Sequence, residues 1–133
     1  MWPFGRRTRD DIGRRGERLA RGHLKRRGLK ILATNYRCPR GEVDLIALDR
    51  STRRETGAET LCFVEVKTRT SDAYTSPEAA VNPDKQRRIR KVADYYRLSR
   101  VATEGLNLRF DIVAVVLRPD AEPSVRHLPD AFR

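Results

Sequence analysis

Apolar side chains recur at helical spacing in the first part of the chain, from Asp10 to Arg27. Arginines occupy many of the other positions, so this period of about 3.6 residues predicts an amphipathic helix with a basic exterior. Gly28 follows directly, and a glycine in that position commonly ends a helix. The predicted apolar face consists of Ile12, Leu19, Ala20 and Leu24.

Later segments alternate between apolar and polar residues, or stay apolar, over the length of a strand. The second and third predicted strands are separated by the polar stretch from Arg50 to Glu59. This stretch predicts a flexible hairpin loop, so the two strands are expected to be antiparallel neighbours. The five predicted strands run from Lys30 to Arg37, Glu42 to Asp49, Thr60 to Arg69, Arg109 to Leu117 and Ser124 to Leu128.

A second helix is predicted from its start signal, because Asn82 is a good N-cap and Pro83 suits the first helical position. Its apolar stripe extends to about Arg100. Before it we expect a polar loop from Thr70 to Ser76 and a helical turn from Pro77 to Val81.

The predicted elements follow the order αβββαββ. In a chain of 133 residues this order predicts one α/β domain, residues 1–133, in which helices flank a mixed central sheet. The first eight residues, MWPFGRRT, are basic and show no periodicity, so we expect residues 1–8 to form a disordered tail.

Positive charge dominates the composition: 29 Lys and Arg stand against 18 Asp and Glu, and the net charge is +11. Most of these cations are arginine, whose planar guanidinium matches phosphate bidentately. Neutralising phosphates also releases condensed counterions, so nucleic acid is the expected partner. The alternative is that arginine only solvates the exposed faces of the protein.

The cysteine and histidine spacing and the hydropathy of the chain restrict the classes of protein to which it can belong. Cys38 and Cys62 lack Cys-x-x-Cys spacing, and neither His23 nor His127 has neighbours that would complete a zinc set. Reduced thiols and a cytoplasmic location are therefore expected. The basic N-terminus lacks the apolar core of a signal peptide, and no apolar stretch approaches the length of a bilayer span, so we expect no membrane partner.

Charged residues interrupt two of the predicted strands. In the third strand Glu65 and Lys67 share a face with Phe63, and in the second strand Asp44 interrupts an apolar run. If the two strands pair, Asp44 lies beside Glu65, and two adjacent carboxylates favour a cation between them. The ordinary alternative is a Glu–Lys pair on a solvated face. In the second strand, alternation places Val43, Leu45 and Ala47 on the face opposite to Asp44.

A hard divalent ion such as Mg²⁺ suits this acidic pair, because it takes oxygen ligands and needs few protein carboxylates. Beside a phosphodiester, such an ion would polarise an oxygen and acidify a bound water, while Lys67 would position that water or offset negative charge. The pattern therefore predicts metal-assisted phosphodiester hydrolysis without an organic cofactor.

Asp44, a variable loop and then Glu65-Val66-Lys67 resemble the PD-(D/E)xK nuclease motif, in which an acid precedes a (D/E)-x-K on the adjoining strand. Together with GERLA and RFDIVAVV, the segments GEVDLIALD and FVEVKTR resemble the YraN-like family of bacterial proteins along nearly the whole chain. This family is similar in fold to archaeal Holliday-junction resolvases and restriction endonucleases. The resemblance implies a restriction-endonuclease-like fold and cleavage of branched or structured DNA.

The resemblance also implies roles for individual residues. Asp44 and Glu65 would hold Mg²⁺ or Mn²⁺, the carbonyl of Val66 could add a ligand, and Lys67 would be the catalytic lysine. Glu17, in GERLA, matches the family's helical acid near the same site, although a solvated helix residue is the ordinary alternative. Related resolvases act as dimers, which makes a homodimer one expectation.

Four side chains are candidates for contacting DNA: Arg69, Lys85, Gln86 and Arg88. Cations on the second helix could bind phosphates without reading bases, and Gln86 resembles a polar helix residue that related nucleases place near the site. A run of charge on a helix is otherwise a solvated face. The alternative function is a non-catalytic nucleic-acid-binding or assembly module that keeps the nuclease fold.

Overall fold

The computed structural model describes residues 8–70 and 81–133. Short 3₁₀ turns follow the second strand and the last long helix, at Arg50–Thr52 and Val101–Thr103. The other elements are α1 (Arg9–Arg26), β1 (Lys30–Cys38), β2 (Gly41–Asp49), α2 (Arg53–Thr56), β3 (Thr60–Arg69), α3 (Pro83–Leu98), β4 (Asn107–Arg118) and β5 (Ala121–Phe132).

The five strands form one sheet in their chain order, β1-β2-β3-β4-β5. The pairs β1–β2, β2–β3 and β4–β5 are antiparallel, whereas β3 and β4 are parallel. A parallel pair needs a crossover connection, and α3 lies in the chain between β3 and β4. The predicted mixed α/β fold with flanking helices is therefore confirmed.

Each face of the sheet buries its own apolar cluster. In β3, Phe63 packs in a cluster with Ile89 and Val92 of α3, whereas Val64 packs in the other cluster with Ala20 and Leu24 of α1. Adjacent strand residues point to opposite faces, so α1 and α3 cover opposite faces of the sheet. β3 is buried on both sides, and its charged end emerges from between the two helices.

The ends of α1 follow from its sequence. Thr8 caps the helix, and its side chain and that of Asp11 form a reciprocal capping box. Thr8 therefore belongs to the ordered helix start, which corrects its assignment to a disordered tail; residues 1–7 lie outside the described residues. Gly28 has a φ of 90° and follows the C-cap Arg27, as predicted for a glycine that ends the helix.

The start of α3 is also as predicted. The side chain of Asn82 accepts a hydrogen bond from the main-chain N–H of Lys85, and Pro83 is the first helical residue. The helix ends at Leu98, two residues before the predicted end. The predicted loop from 70 to 76 and helical turn from 77 to 81 fall largely on residues 71–80, outside the described residues.

Two predicted segments differ from the structure. The stretch from Arg50 to Glu59 is not a flexible loop, because it forms a 3₁₀ turn and α2, and the Thr52 hydroxyl bonds to the carbonyl of Ala58 and the hydroxyl of Thr60. β5 has 12 residues and is longer than predicted. Its prolines, Pro123 and Pro129, are compatible with an edge strand, although they obscure the strand pattern in the sequence.

A buried ionic network joins β2, β4 and β5 beneath α1. Asp111 has no exposed surface, and its carboxylate accepts two hydrogen bonds from Arg109, at 2.8 and 3.0 Å. His127 and the main-chain N–H of Asp130 also contact this carboxylate, at 2.8 and 3.0 Å, and Arg109 pairs with Asp49 at 2.9 Å. Burial raises the pKa of Asp111, but hydrogen bonds from His127 and Arg109 outweigh it and hold the pKa below the usual value.

None of the helices in the described ranges, 8–70 and 81–133, is both long and apolar enough to cross a membrane. The longest of them, α1, has the acidic residues Asp10 and Asp11 in its first turn and basic residues in its last turn.

We expect Asp111→Ala to lower the free energy of unfolding by about 3 to 5 kcal/mol, because it leaves His127 without its buried acceptor and leaves the Arg109 guanidinium with Asp49 alone. Urea denaturation at pH 7 measures this loss. The control is Asp120→Ala in the exposed turn between β4 and β5, which should change stability by less than about 0.5 kcal/mol. Equal effects of the two changes would contradict a structural role for the network.

The helix α1 approaches the sheet closely at Gly16. A Cβ added there would overlap the hydroxyl of Thr68 and lie 2.8 Å from its Cβ, whereas a Cβ added at Gly13 would meet nothing within 4 Å. This contact places the next residue, Glu17, against the charged end of β3.

We expect Gly16→Ala to destabilise the fold by about 1 to 3 kcal/mol, because the helix must move away from β3. The matched control, Gly13→Ala, should stabilise it by up to about 1 kcal/mol through helix propensity alone. Thermal unfolding followed by circular dichroism measures both effects. If the two variants behave alike, the contact between α1 and β3 does not constrain the fold.

Candidate active site

The paired part of β2 and β3 stops just before the charged residues. Their register runs from Asp49 opposite Thr60 to Leu45 opposite Val64. Beyond this point, the main-chain N–H of Val66 donates to the carboxylate of Asp44, at 2.7 Å. A side chain of β2 thus continues the connection between the strands and lies next to Glu65.

The alternation of β2 also changes at this point. Val43 packs with Ile46 in the cluster under α3, whereas Leu45 and Ala47 pack under α1. The prediction that Val43 shares a face with Leu45 and Ala47 is therefore wrong. Regular alternation depends on a regular strand, and β2 departs from it where its pairing with β3 ends.

Glu65 is buried and is paired with a lysine of α3. Only 7% of its side chain is exposed, and the Nζ of Lys85 lies 2.8 Å from its Oε2. The neighbouring Lys67 of the Glu-x-Lys motif lies instead near the C-terminal end of β3, in a groove that Glu17 and Val66 also line. Lys85, a candidate for contacting DNA, is thus in direct contact with a candidate metal ligand.

The acids of this site repel one another. Burial and the nearby charge of Glu65 raise the pKa of Asp44 to about 7, despite the stabilising hydrogen bond from Val66. Glu17 raises this pKa further, and Lys85 lowers it. The charges of Glu17, Glu65 and Lys85 therefore all act on the carboxylate of Asp44.

Two cationic grooves lie beside the acids. One, of about 640 Å³, is lined by Glu17, Lys67 and Arg69, and also by Arg9 at the start of α1. The other, of about 540 Å³, is lined by Lys85 and Arg88 of α3 and by Arg37, which pairs with Glu42. Each groove is therefore lined by three cations and one acid.

The candidate DNA contacts differ in their placement. Arg69, Lys85 and Arg88 line the two grooves. Gln86 donates to the carbonyl of Val81, at 2.9 Å, and so connects α3 to the residue that precedes its cap. The contact of Lys85 with Glu65 does not follow from strand or helix periodicity, although a basic residue is unusual in the first turn of a helix and could have indicated it.

The donor chemistry of the site suits a hard divalent cation. Asp44, Glu65 and the Val66 carbonyl supply only oxygen atoms, the ligands that Mg²⁺ prefers. Within residues 8–70 and 81–133, no group of three or more His, Cys, Asp or Glu side chains is arranged to hold a metal ion. Mg²⁺ commonly binds one or two carboxylates and completes its coordination with water and substrate phosphate, so two acids are sufficient.

Sequence comparison places the chain in a family. The profile described as "Uncharacterised protein family UPF0102" matches residues 16–115. The chain belongs to UPF0102. This confirms the resemblance to the YraN-like family, and the matched residues include Glu17, Asp44, Glu65 and Lys67.

Individual UPF0102 proteins are similar to the chain over most of their length. The UPF0102 protein of Syntrophus aciditrophicus is 43% identical over 120 residues, which cover 90% of this chain and 87% of that protein. The UPF0102 protein of Anaeromyxobacter dehalogenans is 44% identical over 124 residues, which cover 93% of this chain and 85% of that protein.

We expect Asp44→Asn to raise the free energy of unfolding at pH 8 in EDTA, by on the order of 2 kcal/mol. The Asp44 pKa is raised from 3.8 to about 7 in the fold, so the unfolded chain ionises first and wild-type stability falls as pH rises between these values. Asparagine keeps an acceptor for the Val66 N–H and removes the charge.

Urea denaturation between pH 4 and pH 9 measures this difference, which should disappear near pH 4. The control is Asp94→Asn, which removes an exposed carboxylate from α3. A wild-type protein that remains as stable as Asp44→Asn at pH 8 would contradict the unfavourable ionisation of Asp44.

Proposed function

We propose that this protein is a metal-dependent endonuclease that hydrolyses phosphodiester bonds of DNA, preferentially in branched or otherwise structured substrates. The observation that carries the proposal is the adjacency of Asp44 and Glu65 at the charged end of β3, where burial and mutual repulsion raise the Asp44 pKa to about 7. An arrangement that is unfavourable for the folded protein alone is typical of a site that binds a cation.

Mg²⁺ or Mn²⁺ would be held by Asp44, Glu65 and the Val66 carbonyl, with Glu17 as a further acid. When bound there, such an ion supplies a Lewis acid that polarises a phosphoryl oxygen and acidifies a water molecule. The main-chain bond from Val66 to Asp44 orients this carboxylate before any cation arrives.

Lys67 is the proposed catalytic lysine. Its ammonium lines a groove together with Glu17 and Arg69, at the outer end of β3. There it would orient the attacking water or offset the negative charge that develops on the phosphorus centre. A single ammonium next to acids can orient the water or offset this charge without any histidine or cysteine.

DNA is the proposed substrate because cationic grooves flank the acids on a chain with a net charge of +11. A phosphodiester backbone that passes through both grooves would meet Arg69 on one side of the acids and Arg88 on the other. These contacts are with phosphates and fix the position of the strand without reading its sequence.

We further propose a cytoplasmic location, in keeping with free cysteines at Cys38 and Cys62, and a homodimer that cuts two strands.

One observation favours a second candidate function. The ammonium of Lys85 already neutralises Glu65, so this carboxylate has a cationic partner without a metal ion. A protein that only binds nucleic acid or takes part in an assembly could retain the fold and the grooves in this form.

Cleavage of labelled DNA distinguishes the two functions. We expect the wild-type protein to cut junction or flap DNA in Mg²⁺ or Mn²⁺ but not in EDTA, and to cut plain duplex and single strands more slowly. Asp44→Asn and Lys67→Ala should each lower the rate by about 100-fold or more. Since Asp44→Asn is expected to be more stable than the wild type, unfolding would not explain its loss of activity.

The matched control is Lys91→Ala, which removes an exposed lysine from α3 and should keep the wild-type rate. Cleavage that persists in EDTA or in both site variants would overturn the proposal. Binding to DNA that weakens steeply with salt, with no cleavage by the wild type, would support the binding module instead.

A further inference from the structure

Glu65 is neutralised by Lys85 and not by the lysine of its own motif. The Lys85 ammonium lies 2.8 Å from Glu65 Oε2, and the two side chains are 35% and 7% exposed. The carboxylate is thus nearly inaccessible, whereas the ammonium lies at the edge of a groove. A divalent cation that binds Glu65 must compete with this ammonium.

The position of Lys85 in α3 is unfavourable for a lysine. It lies in the first turn, where the exposed N–H groups and the helix dipole favour acidic residues such as Asp84. Pairing with Glu65 offsets this cost, because the carboxylate brings a negative charge to the positive end of the helix. The pair therefore serves both the helix and the acidic site.

The Lys85 side chain can leave Glu65 without a movement of α3. Its main-chain N–H is fixed by the Asn82 cap, at 3.0 Å. Its side chain, however, is a flexible four-carbon stem that lines the groove of about 540 Å³ together with Arg37 and Arg88. In this groove a released ammonium would join two arginines that favour a phosphate.

We propose that Lys85 is a displaceable counter-ion of this site. In the metal-free protein its ammonium pairs with Glu65. A DNA phosphate in the groove then attracts the ammonium away from Glu65, so that a divalent cation can bind. This inference rests on the cation binding of the proposed function. Cation and DNA then bind cooperatively, and each increases the affinity of the protein for the other by the same factor. The protein alone holds its cation weakly, which couples loading of the site to the presence of a strand.

Titration with Mn²⁺ at pH 8, followed by the electron paramagnetic resonance signal of free Mn²⁺, tests the competition. We expect Lys85→Met and Lys85→Gln to bind Mn²⁺ about 10-fold more tightly than the wild type, because no ammonium has to be displaced. Glutamine can still donate a hydrogen bond to Glu65, so it keeps the test valid if Lys85→Met is poorly folded. Lys85→Arg should retain weak binding, and Lys91→Met, on the same helix, should match the wild type.

The coupling to DNA is measured in proteins that also carry Lys67→Ala, so that the substrate remains intact. Addition of junction DNA should increase Mn²⁺ affinity about 5- to 10-fold when Lys85 is present, and should have little effect with Lys85→Met. Unchanged or weaker Mn²⁺ binding by both neutral variants would overturn the inference, as would equal coupling with and without Lys85.

These outcomes are separate from those of the cleavage assay. Metal-dependent cleavage combined with an unchanged Mn²⁺ affinity of Lys85→Met and Lys85→Gln overturns the counter-ion role and leaves the nuclease proposal in place. Tighter Mn²⁺ binding by these variants, with no cleavage of any DNA by the wild type, supports the counter-ion role and overturns the nuclease proposal.

Discussion

The carboxylate of Asp44 accepts the main-chain N–H of Val66 just beyond the last paired residues of β2 and β3. This bond replaces the next rung of the ladder by a side chain, so the two strands separate without leaving the N–H of Val66 unsatisfied. Because the strands separate, Glu65 and Lys67 reach the end of the sheet between the two helices. The geometry of the acidic site depends on this hydrogen bond, in which the Asp44 carboxylate takes the place of a main-chain carbonyl as the acceptor.

The same arrangement opposes the stability of the protein. Packing of α1 against β3 at Gly16 brings Glu17 near two other acids, and burial disfavours the ionised form of Asp44. Another buried carboxylate of the sheet is fully hydrogen-bonded, since both oxygens of Asp111 have partners. The contrast between a satisfied acid under α1 and a mutually repelling pair at the end of β3 separates the structural carboxylate Asp111 from the candidate metal ligands Asp44 and Glu65.

Local signals identified most of the elements. The cap at Asn82, the glycine after α1 and the apolar runs of β2 and β3 act through neighbouring residues, so their effects can be predicted from the sequence. The segment after β2 and the extent of β5 could not be predicted this way. The first is ordered by hydroxyl contacts with Thr60 across the hairpin, and the second depends on an edge position that tolerates proline.

Within the site, the charged residues and the placement of Asp44 and Glu65 on adjacent strands could be predicted from the sequence, because strand periodicity and hairpin pairing are local properties. The resemblance implied that Glu17 lies near this site, whereas the pairing of Lys85 with Glu65 depends on how α3 packs on the sheet. The helices can be placed over the sheet in many ways that satisfy the same periodicity. Packing against the two apolar clusters selects one of them, and that choice brings charges that are distant in the sequence to within a few ångströms of each other.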